Sequence, residues 1–286
     1  MNTTTAQTID GSQAIPAHDP ALYKAAVTAD KVDGWDSLTE EHFDFYRQEG
    51  YLAIENAFTD TEVQEAKAAL LDLILGRVPG FEGIAFENGA PPAPEWTEEQ
   101  RQDAVRKLKE FVPVEPRLKH LSEHPRMTPV LTQLLGEPPQ LFQDMALIKP
   151  PRIGREKPWH QDKAYFNFPI ETPVVGVWIA LDEATVANGC MHVQPQGHQQ
   201  GPIVHFKRRD WQICDTEIMG KPCVAVPLKP GGVLLFDGLL PHGTPTNHSV
   251  ERRKAVQYHY APASAVKGSL EARLAVFGSE GKDVEC

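Results

Sequence analysis

The sequence predicts an α+β fold, in which a double-stranded β-helix (a jelly-roll or cupin-like barrel) carries N-terminal helices packed on its outside. Helical periodicity is concentrated before about residue 140, strand-like apolar runs follow it, and the 25 prolines are scattered through short loops rather than gathered in one linker. Helices first and strands afterwards fit one closed β core better than a parallel sheet with alternating crossovers. No boundary divides the chain cleanly. The expected organisation is a flexible N-terminal tail over 1–35 and a single domain over 36–286, helical to about 140 and barrel thereafter.

The opening MNTTTAQTIDGSQAIPAHDP is polar, with neither a basic start nor an apolar run, and reads as a loose tail rather than a secretory signal. Leu38-Thr39-Glu40-Glu41 starts a helix with Thr39 as its N-cap and Phe43, Tyr46 and Phe45 as candidates for its buried face. Gly50 ends it, and Tyr51–Ile54 is a short apolar strand. Thr59-Asp60-Thr61-Glu62 caps a second helix, whose Val63, Ala66, Leu70, Leu73 and Ile74 recur at helical spacing. The Gly- and Pro-rich stretch 77–94 reads as a long loop. Glu98–Lys109 is read as a third helix and Pro125–Leu135 as a fourth, ended by Gly136. Strands are expected at Met145–Ile148, Val174–Leu181, Val224–Leu228, Val233–Phe236 and Ala255–Tyr260, with a hairpin turn at Asn188-Gly189 and a turn at Pro230-Gly231-Gly232.

Composition excludes several function classes. The 41% hydrophobic and 23% charged residues are the balance of a globular protein. A net charge of −11 argues against nucleic-acid binding and against docking on an anionic membrane, both of which need a basic face. No apolar run approaches the roughly 20 residues of a membrane span. Cys190, Cys214, Cys223 and Cys286 show no CxxC spacing and read as free thiols in a reducing, cytoplasmic compartment. The expected partner is therefore a small-molecule substrate, and no motif sets an oligomeric state.

Trp159-His160-Gln161-Asp162 is the first chemical signal. In an extended segment residues i and i+2 share a face, so His160 and Asp162 present an imidazole and a carboxylate together. His242, in Pro241-His242-Gly243 about 80 residues later, is the best third ligand and is placed on a turn after the strand ending at Phe236. Two histidines and one carboxylate form a facial triad that leaves open positions on iron for a chelating co-substrate and O₂. A polar strand-end pair at His160 and Asp162, and a capping role for His242, fit the same residues. Trp178 stands out separately. It shares a strand face with the tiny Gly176 and Ala180, which leaves space beside its ring, while Val175, Val177, Ile179 and Leu181 form an aliphatic opposite face.

Four stretches, LIKPP (147–151), WHQD (159–162), VWIALDEATVANGC (177–190) and the segment from His242 to Ala255, closely resemble the phytanoyl-CoA dioxygenase family, Fe(II)/2-oxoglutarate oxygenases, as does GYLAIENAF after the first helix. The resemblance runs from about Gln48 to Ala261. It implies iron ligands at His160, Asp162 and His242, and an arginine eleven residues after the distal histidine, Arg253, on the far carboxylate of 2-oxoglutarate. A planar guanidinium suits that role because it binds a carboxylate bidentately and stays charged. Arg252, its neighbour, faces the other way. Thr244, Met145, Trp178 and Lys107 match further positions of the family's co-substrate pocket. The implied activity is hydroxylation of a small or medium organic substrate with release of succinate and CO₂, using Fe(II), 2-oxoglutarate and O₂. A non-redox cupin-like metal- or ligand-binding protein is the alternative, and Arg253 discriminates, since such a barrel has no need of a carboxylate clamp. Halogenation is disfavoured because Asp162 occupies the place where chloride would bind. The sequence departs from the family at His192, Gln194 and Pro195-Gln196-Gly197-His198, which suggests a more polar substrate than a phytanoyl thioester; outward-facing strand residues fit equally. The basic run Lys207-Arg208-Arg209 could meet a phosphate or carboxylate, or be a solvated loop.

Overall fold

A computed structural model describes residues 17–87, 93 and 95–278, together with the backbone of two short strands at 7–9 and 13–15. Thirteen strands build two facing sheets. They are β1 (Val27–Thr28), β2 (Lys31–Asp33), β3 (Tyr51–Glu55), β4 (Ile84–Phe86), β5 (Val105–Lys109), β6 (Pro139–Lys149), β7 (Lys157–His160), β8 (Val175–Ala180), β9 (Met191–Val193), β10 (Val224–Val226), β11 (Val233–Asp237), β12 (His242–Thr244) and β13 (Arg253–Pro262). The larger sheet runs β2-β3-β11-β8-β13-β6-β5-β4 and the smaller β1-β10-β9-β12-β7. This is the expected α+β jelly roll.

The helices of the N-terminal half cover the outer face of the large sheet. α1 (Glu40–Glu49) is capped by Thr39 and closed by Gly50, whose φ of 84° no β-carbon tolerates easily. It buries Phe43 and Tyr46, whereas Phe45 is exposed. α2 (Asp60–Ile74) carries the Thr59/Glu62 capping box and buries all five expected apolar residues. Helix and strand residues such as Leu70, Leu131, Val177, Ile179, Val256 and Tyr258 share one core on this outer face. A second core lies between the sheets and includes Trp178, Met191, Val226, Leu234 and Phe236.

Several sequence expectations need correction. The third helix, α3 (Glu98–Ala104), is shorter than expected, and Val105–Lys109 is strand β5, paired with β6. The loop 77–94 contains β4, which pairs with β5. An additional helix, α4 (Pro116–Ser122), precedes α5 (Met127–Leu135). Asn188-Gly189 is a turn, but it joins no hairpin, because the chain crosses there from β8 in one sheet to β9 in the other. Residues 20–35, read as part of a tail, are docked. Leu22, Tyr23 and Trp35 are buried, the Trp35 indole donates to the Ala57 carbonyl at 2.6 Å, and the Trp159 indole donates to the Leu22 carbonyl at 3.0 Å. Cys190 and Cys223 are free thiols, but Cys214 is disulfide-bonded, against the expectation of four free thiols.

Candidate active site

The two sheets bring the distant motifs together by register. β12 pairs antiparallel with β7, and His242 lies directly opposite His160. His242 is therefore on a strand rather than a turn. Gly243 serves close approach, since a β-carbon there would sit 3.0–3.1 Å from the Tyr23 hydroxyl, the Lys157 carbonyl and the Trp159 amide.

His160, Asp162 and His242 are all buried, and one ligand atom from each lies within 4.8 Å of the others. Each histidine Nδ1 bonds the carbonyl two residues back, Pro158 at 2.8 Å and Leu240 at 2.9 Å. Nδ1 therefore carries the proton and Nε2 presents its lone pair to the shared centre. Burial, aided by His160, pushes the His242 pKa down to about 3, which keeps that ring neutral. Burial opposes ionisation of Asp162, but the surrounding imidazoles, His259 first, hold its carboxyl well below the usual range. Asp162 Oδ2 accepts from Gln257 at 3.1 Å and from His259 Nε2 at 2.6 Å. Neither Gln257 nor His259 was singled out in the sequence. Both alternate with Arg253 and Ala255 on the inner face of β13, and polar residues at three of these four alternate positions of a wholly buried strand are the signal that could have found them.

The triad lines a cavity of about 170 Å³ that also receives Arg253, Thr244, Met145 and Lys107. Arg253 is 1% exposed, and its Nε and Nη1 have no hydrogen-bond partner among the described residues. Burial pushes its pKa down to about 10, far below an ordinary guanidinium. Its guanidinium lies 5.2 Å from the ring of Trp178, whose indole N–H is also buried without a partner. Trp178 thus stands behind Arg253 rather than beside an open space. The room next to Gly176 is filled by Phe236, whose ring would be 2.3–2.7 Å from an added β-carbon. Lys107 is on a strand, and burial pushes its pKa down to about 8. Arg252 points away, as the alternation requires, and donates to Asp103 at 2.6 Å.

The residues that depart from the family do not act together. His192 lines a second cavity adjoining the first, Gln194 lines a separate one with Trp159 and Ile218, and Gln196 is exposed and donates to Glu49 at 3.0 Å. Within the basic run Lys207 and Arg208 are exposed, while Arg209 is engaged by Glu156 and Asp215.

A family model described as phytanoyl-CoA dioxygenase matches residues 46–255, most of the chain and all of the candidate site. The chain belongs to the phytanoyl-CoA dioxygenase family. Membership makes it an Fe(II)- and 2-oxoglutarate-dependent dioxygenase, as its motifs implied. It is 27% identical over 239 residues to a probable phytanoyl-CoA dioxygenase of Caenorhabditis elegans, covering 78% of this chain and 75% of the relative. It is 26% identical over 261 residues to the peroxisomal phytanoyl-CoA dioxygenase of Rattus norvegicus, covering 83% and 74%. Among solved structures it is similar to the non-heme alpha ketoglutarate dependent carbocyclase SnoK from nogalamycin biosynthesis, with a TM-score of 0.66 and 24% identity, covering 88% of this chain and 95% of that one. EctD from S. alaskensis superposes with a TM-score of 0.65 and 22% identity, covering 98% and 92%. Such identities speak for the fold.

Proposed function

We propose that His160, Asp162 and His242 hold the iron, that Arg253 binds the far carboxylate of 2-oxoglutarate, and that the enzyme hydroxylates a small or medium polar organic molecule. The observation that carries this reading is a fully buried arginine that no described group of the chain hydrogen-bonds through Nε or Nη1, in the same 170 Å³ cavity as two histidines and a carboxylate whose ligand atoms converge. An unpaired buried charge costs several kcal/mol, so a site that keeps one is built for a counter-charge. EctD, a structure similar to this chain, is described with 2-oxoglutarate. The non-redox alternative explains neither Arg253 nor the family match.

When bound, Fe(II) and 2-oxoglutarate supply the oxidising chemistry, in which O₂ delivers one oxygen atom to the substrate and the other to succinate as CO₂ leaves. The chain's own contribution is placement. The carbonyls of Pro158 and Leu240 fix the histidine tautomers, and Gln257 with His259 fixes the Asp162 carboxylate. Arg253, with Trp178 behind it, gives a carboxylate one bidentate seat, and Thr244, Met145 and Lys107 line the cavity around it.

Iron analysis tests the assignment. The purified chain should hold about one Fe(II), and His160→Ala or His242→Ala should lose the metal and all succinate formation, because removing a facial ligand lowers affinity and spoils the open geometry together. Normal iron content and activity in both variants would overturn the triad. A cytoplasmic location belongs to the same reading. Among the described residues no helix is long and apolar enough to cross a membrane, and a fluorescent fusion of the whole chain separates cytosol from peroxisome.

A further inference from the structure

Iron and 2-oxoglutarate leave a second cavity unexplained. It measures about 630 Å³ and shares Arg106, Arg155 and Glu156 with the 170 Å³ pocket. Most charges around it are already matched. Arg209 is held by Glu156 at 2.7 Å and Asp215 at 2.6 Å, and Arg155 by Glu87 at 2.6 Å. Arg106 has no hydrogen bond or ion pair among the described residues, although its side chain is half-buried and lines both cavities.

The backbone aims Arg106 there by a β-bulge. Ala85 of β4 pairs with Lys107 of β5, but the next residue, Phe86, pairs with Val105, so Arg106 is the extra residue. The bulge lets Arg106 and Lys107 both reach the cavities while Val105 and Leu108 both stay in the core. A second unused group lines the larger cavity. His192 is fully buried, its Nδ1 bonds the Cys190 carbonyl at 3.1 Å, and its Nε2 has no partner among the described residues. With the proton on Nδ1, Nε2 is an acceptor in want of a donor.

We propose that Arg106 anchors a carboxylate of the primary substrate, with His192 Nε2 accepting from an O–H or N–H of the same molecule. The substrate class is then a hydroxy- or amino-carboxylic acid. Arg152, the other lining arginine without a side-chain partner among the described residues, is exposed and does not reach the iron pocket, so Arg106 is the guanidinium fork placed to match the two oxygens of a carboxylate there. A phosphate dianion would meet Glu87 and Glu156 with Arg155 and Arg209 already spent on them. The inference rests on the assignment of 2-oxoglutarate to Arg253.

Phenylglyoxal modification, mapped by peptide mass spectrometry, reads the state of each arginine. In the full chain loaded with Fe(II) and 2-oxoglutarate without oxygen, Arg106 should react and Arg209 should not. Hydroxy- and amino-carboxylic acids of about four to eight carbons should slow modification of Arg106 about five-fold or more, and their methyl esters should not, because the ester has lost the charge. In air the protecting acids should gain an oxygen atom. Arg106→Met should then raise KM for the acid about ten-fold or more, with Arg106→Lys intermediate, since lysine keeps the charge and loses the fork. Over the same variants the Kd for 2-oxoglutarate, read from the absorption of the iron complex, should move by less than about two-fold. Equal protection by acids and esters, protection by inorganic phosphate but not by carboxylates, or no protection by any of them would overturn the proposal. Protection of Arg106 by 2-oxoglutarate itself would instead break the Arg253 assignment, so the two failures are distinguishable.

Discussion

Arg209, partly buried in the wall of the larger cavity, and Arg253, fully buried in the iron pocket, are both shielded guanidinium groups, yet the fold treats them oppositely. Arg209 is gripped by Glu156 and Asp215, with contacts of 2.6–2.8 Å. Burial works against its charge, but those two carboxylates outweigh it and raise its pKa. Arg253 has no carboxylate in contact, and burial alone pulls its pKa down. The contrast separates two uses of one residue type. A buried arginine that the chain itself neutralises is part of the fold, and one left open beside a cavity is a receptor.

Stability should divide the two. Arg209→Met removes the cation from two partly buried carboxylates and should cost about 3–5 kcal/mol in urea unfolding. Arg253→Leu removes a charge that has no partner, so the same experiment should show no loss, or a gain of about 1 kcal/mol or more. Comparable losses from both would mean that Arg253 is structural after all.

A smaller effect sharpens the same contrast between histidines. His205 is satisfied at both nitrogens, with Nδ1 on the Ile203 carbonyl and Nε2 accepting from the Gln161 amide, whereas His192 is satisfied at one. Burial pushes the His205 pKa from 6.5 down to about 3. Between those values the unfolded chain binds a proton that the folded chain refuses, so stability rises with pH there and is lost as pH falls through that window. From pH 7 to pH 5 this one group should remove about 2 kcal/mol, and His205→Gln should flatten that part of the profile. An unchanged slope in the variant would show that His205 is not kept neutral by the fold.

The parts of the molecule legible in the sequence were those governed by local rules. Capping residues and 3.6-residue spacing marked α1 and α2, and two-residue alternation separated Arg253 from Arg252 and His160 from Gln161. What failed depended on long-range pairing. Val105 and Leu108 are three apart, the spacing of a helix face, because the bulge at Arg106 inserts a residue into β5, and periodicity alone therefore misread that strand. Pro241-His242-Gly243 has the composition of a turn, and only its pairing with β7 and β9 makes it a strand. Leu22, Tyr23 and Trp35 are isolated apolar residues in a polar stretch, and nothing local announces that they dock on the barrel. The space inferred beside Trp178 was real in the strand but is filled from the next one by Phe236.

The central claim is that Arg253 is a receptor for a carboxylate beside the metal triad. Its most direct test is an anaerobic titration of the Fe(II)-loaded chain with 2-oxoglutarate, followed by the absorption of the iron complex, in the parent, Arg253→Leu and Arg252→Leu proteins. Loss of a charge-assisted bidentate contact in a shielded pocket should cost about 2–5 kcal/mol, which is roughly 30- to 5,000-fold in Kd for Arg253→Leu. Arg252 already donates to Asp103 on the opposite face, so its variant should stay within about two-fold of the parent. Equal weakening in the two variants, or an Arg253→Leu protein that binds 2-oxoglutarate as tightly as the parent, would contradict the account.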